Sequence, residues 1–262
     1  MKSQAFAFSP PAAGRTLRVA AFMSGSGTNI RRLLERNSPE YEVAFIYSDR
    51  SDGHCQGEQI ALEYGLPYFS FDIRRFHARR GLPRSAVTPA GKAARRAYDQ
   101  VGRRLVRAFG VDLIALGGYM SYLTLPHGVN VHPADLSVVD ARGRRQFVGD
   151  DAVRDAIAAG QTELRASTLW IDRGVDTGPL LMVSDPLPVE LPAPLAEILA
   201  DPARLRAVAD AHQERLKERG DWVIFPLTIA LMASGRLTIS AAGVAELDGV
   251  ARPEGVRPAE LA

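Results

Sequence analysis

Residues 16–37 read TLRVAAFMSGSGTNIRRLLERN, and the class of fold follows from the pattern in this stretch. Its first eight residues form a short apolar run of the kind that tolerates a buried β-strand. In its last eight residues, the side chains of Ile30, Leu33 and Leu34 fall on one face of a helix. The segment SGSGTN, with two glycines, separates the two patterns. The stretch therefore predicts a strand, a glycine loop and a helix in succession.

The alternation of strand and helix patterns continues along the chain. Further strand candidates are YEVAFIYSD, LPYFSFD, VDLIALGGYM, VNVHP, ASTLWIDRG and GPLLMVSDPLPV. Residues 57–64 and the apolar run WVIFPLTIALMASG predict helices, whereas residues 73–91 predict an exposed connection. Residues 92–110 predict one helix with a solvated arginine face. This order predicts an α/β fold, with an open, mostly parallel twisted sheet and helices on both faces in a Rossmann-like arrangement.

Three regions are expected along the 262 residues. Residues 1–15 contain a proline pair and predict a disordered or loosely packed arm, without the continuous apolar core of a secretory signal. Residues 16–240 carry the alternating pattern and predict the main domain. Residues 241–262 predict a C-terminal tail.

Composition excludes several classes of protein. The 32 Lys and Arg residues nearly balance the 30 Asp and Glu residues, so the charge does not indicate a nucleic-acid partner. No continuous apolar run approaches the roughly 20 residues that span a bilayer. A single cysteine, Cys55, cannot form an internal disulfide or a cysteine-based metal site. We expect a cytoplasmic protein that acts on small molecules, without a metal or membrane contact, as a monomer or homodimer.

The glycine loop SGSGTN is a candidate anion site. Two glycines before a helix allow close backbone approach, and the helix N-terminus offers unpaired N–H groups with partial positive charge. The spacing matches neither a dinucleotide fingerprint nor a Walker A loop. A tight turn capped by Thr28 or Asn29 is the alternative interpretation.

Asn130 and His132 are candidate catalytic residues, because side chains two residues apart on a strand lie on the same side of the sheet. An asparagine amide can donate to a developing oxyanion, and a histidine can move the proton that an attacking amine must lose. The structural alternative is a histidine bound to a loop carbonyl. In DRGVDTGP, Asp172 and Asp176 lie in a glycine-containing turn, and Asp176 is either a turn residue or a carboxylate that orients the histidine.

Taken together, in this order, the segments resemble the formyltransferase family, over about residues 16–240. The resemblance is carried by SGSGTN, LGGYMSYL, GVNVHP, VDTGP and GDWVIFPL, and within the family it is greatest to the enzymes that formylate glycinamide ribonucleotide in purine biosynthesis. It implies that Asn130, His132 and Asp176 are catalytic. It also implies that 10-formyltetrahydrofolate is the co-substrate and that no metal is required.

The resemblance further implies two binding sites. The acceptor phosphate would be bound by the glycine loop, and the rest of the ribonucleotide by a carboxylate in the terminal helix; these residues are Gly25, Ser26, Gly27, Thr28, Asn29 and Asp221. The folate pocket would have one wall after the central strand and another in the aspartate turn; its residues are Met120, Ser121, Tyr122, Leu123, Asp172 and Val175.

The chain departs from the family pattern after His132, where residues 134–153 (ADLSVVDARGRRQFVGDDAV) replace a compact loop of Leu, Pro and Gly. The arginines in this segment and shortly after it, at 142, 144, 145, 154 and 165, either bring charge to the cleft or form a solvated face. The alternatives for function are formyl transfer to a different amine, hydrolysis of 10-formyltetrahydrofolate, and a folate or phosphate sensor without turnover. The usual hydrolase carries an N-terminal regulatory domain, for which a 15-residue arm is too short, and a tRNA formyltransferase needs a further C-terminal domain.

Overall fold

The computed structural model describes residues 7–10, 14–85 and 88–261. Its contacts divide the chain into two compact units, one made of Pro10–Asn130 and the other of Val131–Ala262 with the segment that ends at Ser9. Among the described residues, no helix is both long and apolar enough to cross a membrane.

The first unit alternates strands and helices. Its strands are β1 (Leu17–Met23), β2 (Tyr41–Ser48), β3 (Tyr68–Ser70), β4 (Leu113–Leu116) and the start of β5 (Gly128–His132). Its helices are α1 (Thr28–Glu35), α2 (Gly57–Glu63), α3 (Ile73–Arg80), α4 (Pro89–Tyr98) and α5 (Gln100–Ala108). The pairs β3–β2, β2–β1, β1–β4 and β4–β5 are all parallel. The core strands β1 and β4 are almost entirely buried, as expected for parallel strands covered on both faces.

The second unit contains α6 (Ala152–Ala158), β6 (Glu163–Leu164), β7 (Ser167–Trp170), β8 (Leu180–Val183) and β9 (Leu187–Pro188). There follow α7 (Leu195–Leu199), α8 (Pro202–Leu216), the π-helical turn Lys217–Asp221, α9 (Trp222–Ala233), β10 (Leu237–Ile239), β11 (Ala245–Leu247), β12 (Val250–Ala251) and a short 3₁₀ helix, Pro258–Leu261. Strands β7 and β8 pair antiparallel, and β10–β12 form a small separate sheet.

The main sheet has seven strands in the order β3-β2-β1-β4-β5-β7-β8. The predicted α/β class and mostly parallel sheet are therefore confirmed. In the first unit the strand order reverses between β1 and β4, which makes the carboxyl ends of these two strands the topological switch point, where open α/β sheets bind ligands.

Two local predictions are wrong. Residues 73–91 do not form only a connection, because Asp72 caps helix α3 by accepting a hydrogen bond from the Arg75 N–H at 2.8 Å, and Gly81 ends the helix in a left-handed conformation. Residues 92–110 are not one helix, because α4 ends at Tyr98 and α5 begins at Gln100, with Asp99 between them. The carboxylate of Asp99 is buried and bound to Arg95 and Thr124.

Residues 7–9 of the predicted N-terminal arm are part of the second unit, whereas residues 1–6 and 11–13 of the arm lie outside the described residues. Phe8 is buried, exchanges backbone hydrogen bonds of 3.0 and 3.2 Å with Ile239, and has its ring centroid 5.3 Å from that of Trp170. At the other end of the chain, Val256 pairs in parallel with Met182 of β8. A strand edge with unpaired backbone groups is thereby covered.

Candidate active site

The imidazole of His132 and the carboxylate of Asp176 lie together in the second unit. Nδ1 of His132 is 3.7 Å from Oδ2 of Asp176, and both side chains are more than nine-tenths buried. His132 is the last residue of β5, whereas Asp176 lies between β7 and β8. Asn130 precedes His132 by two residues on β5, so the period of the strand directs both side chains to one face of the sheet.

A backbone carbonyl determines which nitrogen of His132 is free to accept a proton. Nε2 lies 3.2 Å from the carbonyl oxygen of Phe147, and since a carbonyl only accepts, Nε2 carries the proton in this hydrogen bond. In the neutral ring, Nδ1 then directs its lone pair towards the Asp176 carboxylate. The separation of 3.7 Å is longer than a hydrogen bond, so the two groups are neighbours without a direct bond between them. Nδ1 is therefore the ring nitrogen that is left to take a proton from a substrate.

Asp176 has an unusual backbone conformation, with φ of 53°. This left-handed region costs most residues about 1–2 kcal/mol, although aspartate and asparagine tolerate it better than others. The N–H of Gly149 donates to Oδ2 of Asp176 at 3.0 Å, which fixes the carboxylate beside His132.

Asp172 and Val175 belong to the same turn. Oδ1 of Asp172 accepts hydrogen bonds from the N–H of Gly174 at 2.8 Å and from Oγ1 of Thr177 at 2.7 Å. Asp172 thus shapes the turn, and Val175, 59% exposed, forms an apolar surface next to Asp176.

The glycine loop lies in the first unit at the end of β1. Gly27, not Thr28 or Asn29, is the residue that precedes helix α1, and it has a φ of 69°. Gly27 has no side chain that could cap this helix, and the first turn contains no acidic residue. The partial positive charge of the helix start is therefore not opposed by a carboxylate of its own first turn, which favours an anion, as the glycine-loop interpretation requires. Ser26 is exposed, Thr28 is half-buried, and Asn29 is buried.

The two glycines of the loop have different constraints. A Cβ built on Gly27 would lie 2.4 Å from Cε of Met23 and 2.7 Å from Cδ1 of Ile60, so this position requires glycine for packing as well as for φ. A Cβ built on Gly25 would have no atom within 4 Å. Gly25 therefore borders open space into which a ligand group fits.

The segment after β4 contacts the glycine loop at the switch point. The N–H of Ser24 donates to the carbonyl of Gly118 at 3.0 Å, and the N–H of Met120 donates to Oγ of Ser24 at 3.0 Å. Met120 is 68% exposed, which is unusual for a methionine so close to the sheet. Ser121 Oγ donates to the buried carboxylate of Asp49, Tyr122 is half-buried and Leu123 is buried. Met120 is the member of this segment that presents an apolar surface.

A buried polar network supports this segment, and the sequence interpretation missed it. Arg95 is buried, although residues 92–110 predicted a solvated arginine face. Its Nη2 donates to the hydroxyl of Tyr119 at 2.8 Å, and its Nε is 3.2 Å from Oδ1 of Asp99. Burial lowers the pKa of the Arg95 guanidinium, but the nearby oxygens of Tyr119 and Asp99 outweigh this effect and raise it. The signal was the position of Arg95 on the same helix face as Ala94 and Tyr98, which are buried.

Asp221 lies at the end of the π-helical turn and is buried in the second unit. A π-helical turn accommodates an added residue without breaking the helix. Such turns often occur at functional sites. A Cβ on the adjacent Gly220 would lie 2.7 Å from Cβ of Ala166, so the turn packs closely against the residue before β7.

Fold and site together define an α/β protein with a loop suited to phosphate at the switch point and a histidine–carboxylate pair arranged for proton transfer. The sequence profile described as formyl transferase matches residues 17–190, which is more than half of the chain. The chain belongs to the formyl transferase family, whose members are enzymes.

Individual relatives agree with this assignment. The phosphoribosylglycinamide formyltransferase of Mycobacterium tuberculosis is 30% identical over 187 residues, covering 69% of this chain and 74% of that protein. The trifunctional purine biosynthetic protein adenosine-3 of Drosophila melanogaster is 27% identical over 238 residues, which cover 86% of this chain but 14% of that protein. The chain thus spans only a small part of this multifunctional relative.

The solved structures confirm the fold. Glycinamide ribonucleotide transformylase 1 from Symbiobacterium toebii superposes with a TM-score of 0.62 at 26% identity, covering 89% of this chain and 95% of that one. The phosphoribosylglycinamide formyltransferase of Coxiella burnetii superposes with a TM-score of 0.66 at 20% identity, covering 93% of this chain and 99% of that one.

Proposed function

We propose that this protein transfers the formyl group of 10-formyltetrahydrofolate to the amine of glycinamide ribonucleotide, in purine biosynthesis. The observation that carries the proposal is the pair formed by His132 and Asp176, whose geometry accepts the proton that an amine loses when it attacks. The relatives named above support the acceptor. The lone cysteine and the small-molecule substrates support a cytoplasmic enzyme, as a monomer or homodimer.

In the proposed reaction, the acceptor nitrogen attacks the formyl carbon and a new C–N bond forms. The amide of Asn130 donates to the oxygen that becomes negative. The His132–Asp176 pair takes the proton from the attacking nitrogen, and the bond from the formyl carbon to N10 of the folate then breaks. N10 takes a proton as tetrahydrofolate leaves. Because both substrates must be held in register, orientation supplies much of the rate.

The acceptor phosphate would bind at the start of helix α1, where Gly25, Ser26, Gly27, Thr28 and Asn29 provide backbone donors. The open space beside Gly25 and the lack of an acidic residue in the first turn of this helix support the assignment. Asp221 would accept hydrogen bonds from the ribose or glycinamide part of the acceptor. Asp221 lies at the end of the π-helical turn, and its side chain is buried.

The folate contacts that the resemblance implies fall on one segment in each unit: Met120, Ser121, Tyr122 and Leu123 in the first unit, and Asp172 and Val175 in the second. The large exposed fractions of Met120 and Val175 support this assignment, because exposed apolar side chains beside polar groups are typical of a ligand site. Among the described residues, no group of three or more His, Cys, Asp or Glu side chains is arranged to hold a metal ion.

The test follows tetrahydrofolate release from 10-formyltetrahydrofolate in three reactions: without an acceptor, with glycinamide ribonucleotide, and with a panel of other amines. Release that depends on glycinamide ribonucleotide, with the formylated product detected by mass spectrometry, is the expected result. Release without an acceptor would make the protein a hydrolase. Tetrahydrofolate release only with another amine would identify that amine as the acceptor. No tetrahydrofolate release in any of the reactions would point to a sensor.

A further inference from the structure

The segment that departs from the family pattern contains a hairpin over residues 138–146. The N–H of Gln146 donates to the carbonyl of Val138 at 3.1 Å, and the N–H of Asp140 donates to the carbonyl of Arg144 at 2.8 Å. At the tip, the carboxylate of Asp140 accepts from the N–H of Arg142 at 2.8 Å and from the N–H of Arg144 at 2.9 Å. The hairpin is therefore held in shape largely by its own backbone.

The side chain of Arg145 joins this hairpin to the aspartate turn. Nη1 donates to the carbonyl oxygen of Asp176, and Nη2 donates to the carbonyl oxygen of Gly178 at 2.8 Å. Burial lowers the pKa of the Arg145 guanidinium, while the carboxylates of Asp176 and Asp172 oppose this effect. Only a planar guanidinium presents two parallel donors with this spacing, so the contact fixes both the position and the direction of the turn.

Three alternate residues, from the second half of the hairpin to just beyond it, contact the catalytic pair. Arg145 binds the backbone of Asp176, the carbonyl of Phe147 binds Nε2 of His132, and the N–H of Gly149 binds the carboxylate of Asp176. The side chain of Phe147 is buried and anchors the middle of this segment. One short segment thus controls the orientation of both catalytic groups.

Asp176 needs such support because its φ of 53° is disfavoured for a residue with a side chain. A strained conformation persists only where the surroundings determine it, and contacts of this kind occur at active sites. Without the guanidinium, the backbone carbonyls of Asp176 and Gly178 would lose these two donors. The turn would then be held beside His132 by fewer contacts.

We propose that Arg145 is a positioning residue for formyl transfer, which holds the Asp176 turn so that the carboxylate stays beside His132. The inference rests on the proposed function for its reaction, but the geometry that it invokes can be measured without turnover. Arg145 contacts no reacting atom in this role. It acts through the backbone of the turn.

The neighbouring Arg144 is a matched control. Its side chain is 70% exposed and pairs with Asp140 at 2.8 Å, within the hairpin. Arg144 and Arg145 have the same charge and adjacent positions, but the hydrogen bonds to the turn come from Arg145. Replacing each with methionine separates the contact with the turn from the loss of one positive charge.

The experiment compares the wild type with Arg145→Met, Arg145→Lys and Arg144→Met. We expect Arg145→Met to lower kcat about 10- to 100-fold, as is typical of a misplaced catalytic group, while the KM for each substrate changes less than about threefold. Low concentrations of guanidinium should restore part of the activity. Arg145→Lys should give an intermediate kcat, because an ammonium group is a point donor and cannot match the planar fork. Arg144→Met should behave as the wild type.

A second readout does not depend on activity. In ¹⁵N-labelled protein, the imidazole signals of His132, assigned by comparison with His132→Gln, should report a proton on Nε2 in the wild type and in Arg144→Met. In Arg145→Met, these signals should shift, or should become an average over the two positions of the ring proton. Arg145→Lys serves for this measurement if the methionine variant does not fold. Equal kcat and equal imidazole signals in the Arg145 and Arg144 variants would overturn the inference. A wild type without formyl transfer but with the expected change in the imidazole signals would refute the proposed function alone.

Discussion

The backbone N–H of Gly149 donates to Oδ2 of Asp176 at 3.0 Å, and the same oxygen faces Nδ1 of His132 at 3.7 Å. One carboxylate oxygen therefore lies between a loop that departs from the family pattern and a histidine that matches this pattern. This relationship makes the catalytic pair sensitive to the loop as well as to its own two residues.

His132→Ala should lower formyl transfer by about two to four orders of magnitude, because the group that takes the proton is lost. Binding of 10-formyltetrahydrofolate should change little, which equilibrium titration of the folate can verify. Turnover equal to that of the wild type would refute the assigned role of His132.

Asp176→Asn should remove the carboxylate without disturbing the turn, since asparagine also tolerates a positive φ. We expect a fall in kcat of about 10²-fold or more and an almost unchanged free energy of unfolding. Urea denaturation and steady-state kinetics measure the two quantities. A stable variant with full activity would show that Asp176 only shapes the turn.

Gly25→Ala and Gly27→Ala should have different effects. A methyl group at Gly25 meets no neighbour, so the variant should fold normally and raise the KM for the phosphorylated acceptor more than the KM for the folate. A methyl group at Gly27 is strained by its φ and by Met23, which should cost about 2 kcal/mol or more of stability. If Gly25→Ala raised both KM values equally, the phosphate assignment would be refuted.

Arg95→Met should destabilise the protein by about 3–5 kcal/mol, because it leaves the buried carboxylate of Asp99 without its cation. The exposed neighbour provides the control, and Arg96→Met should change stability by less than about 0.5 kcal/mol. Chemical denaturation of the two variants makes the comparison. Equal free energies of unfolding for Arg95→Met and Arg96→Met would show that the hydrogen bonds from Thr124 are sufficient for the buried carboxylate of Asp99.

Much of the fold follows from local pattern. The apolar run before SGSGTN and the helical period after it predicted β1 and α1, because a continuous apolar run and a helical period are both properties of a single element. Helix α3 was missed, since its arginines gave it little apolar period. Its stability comes from the Asp72 cap and from the burial of Phe76.

The sequence alone determined the class of fold, the glycine loop and the spacing of Asn130 and His132. These features depend on strand and helix patterns among residues that are close together in the sequence. Three other relationships required the folded chain: Asp176 lies beside His132, Arg145 binds the turn rather than solvent, and Arg95 is buried. The first two join segments far apart in the sequence, and the third depends on buried partners outside its own helix. Side-chain period records which face of an element is buried, but it does not record which distant segment covers that face.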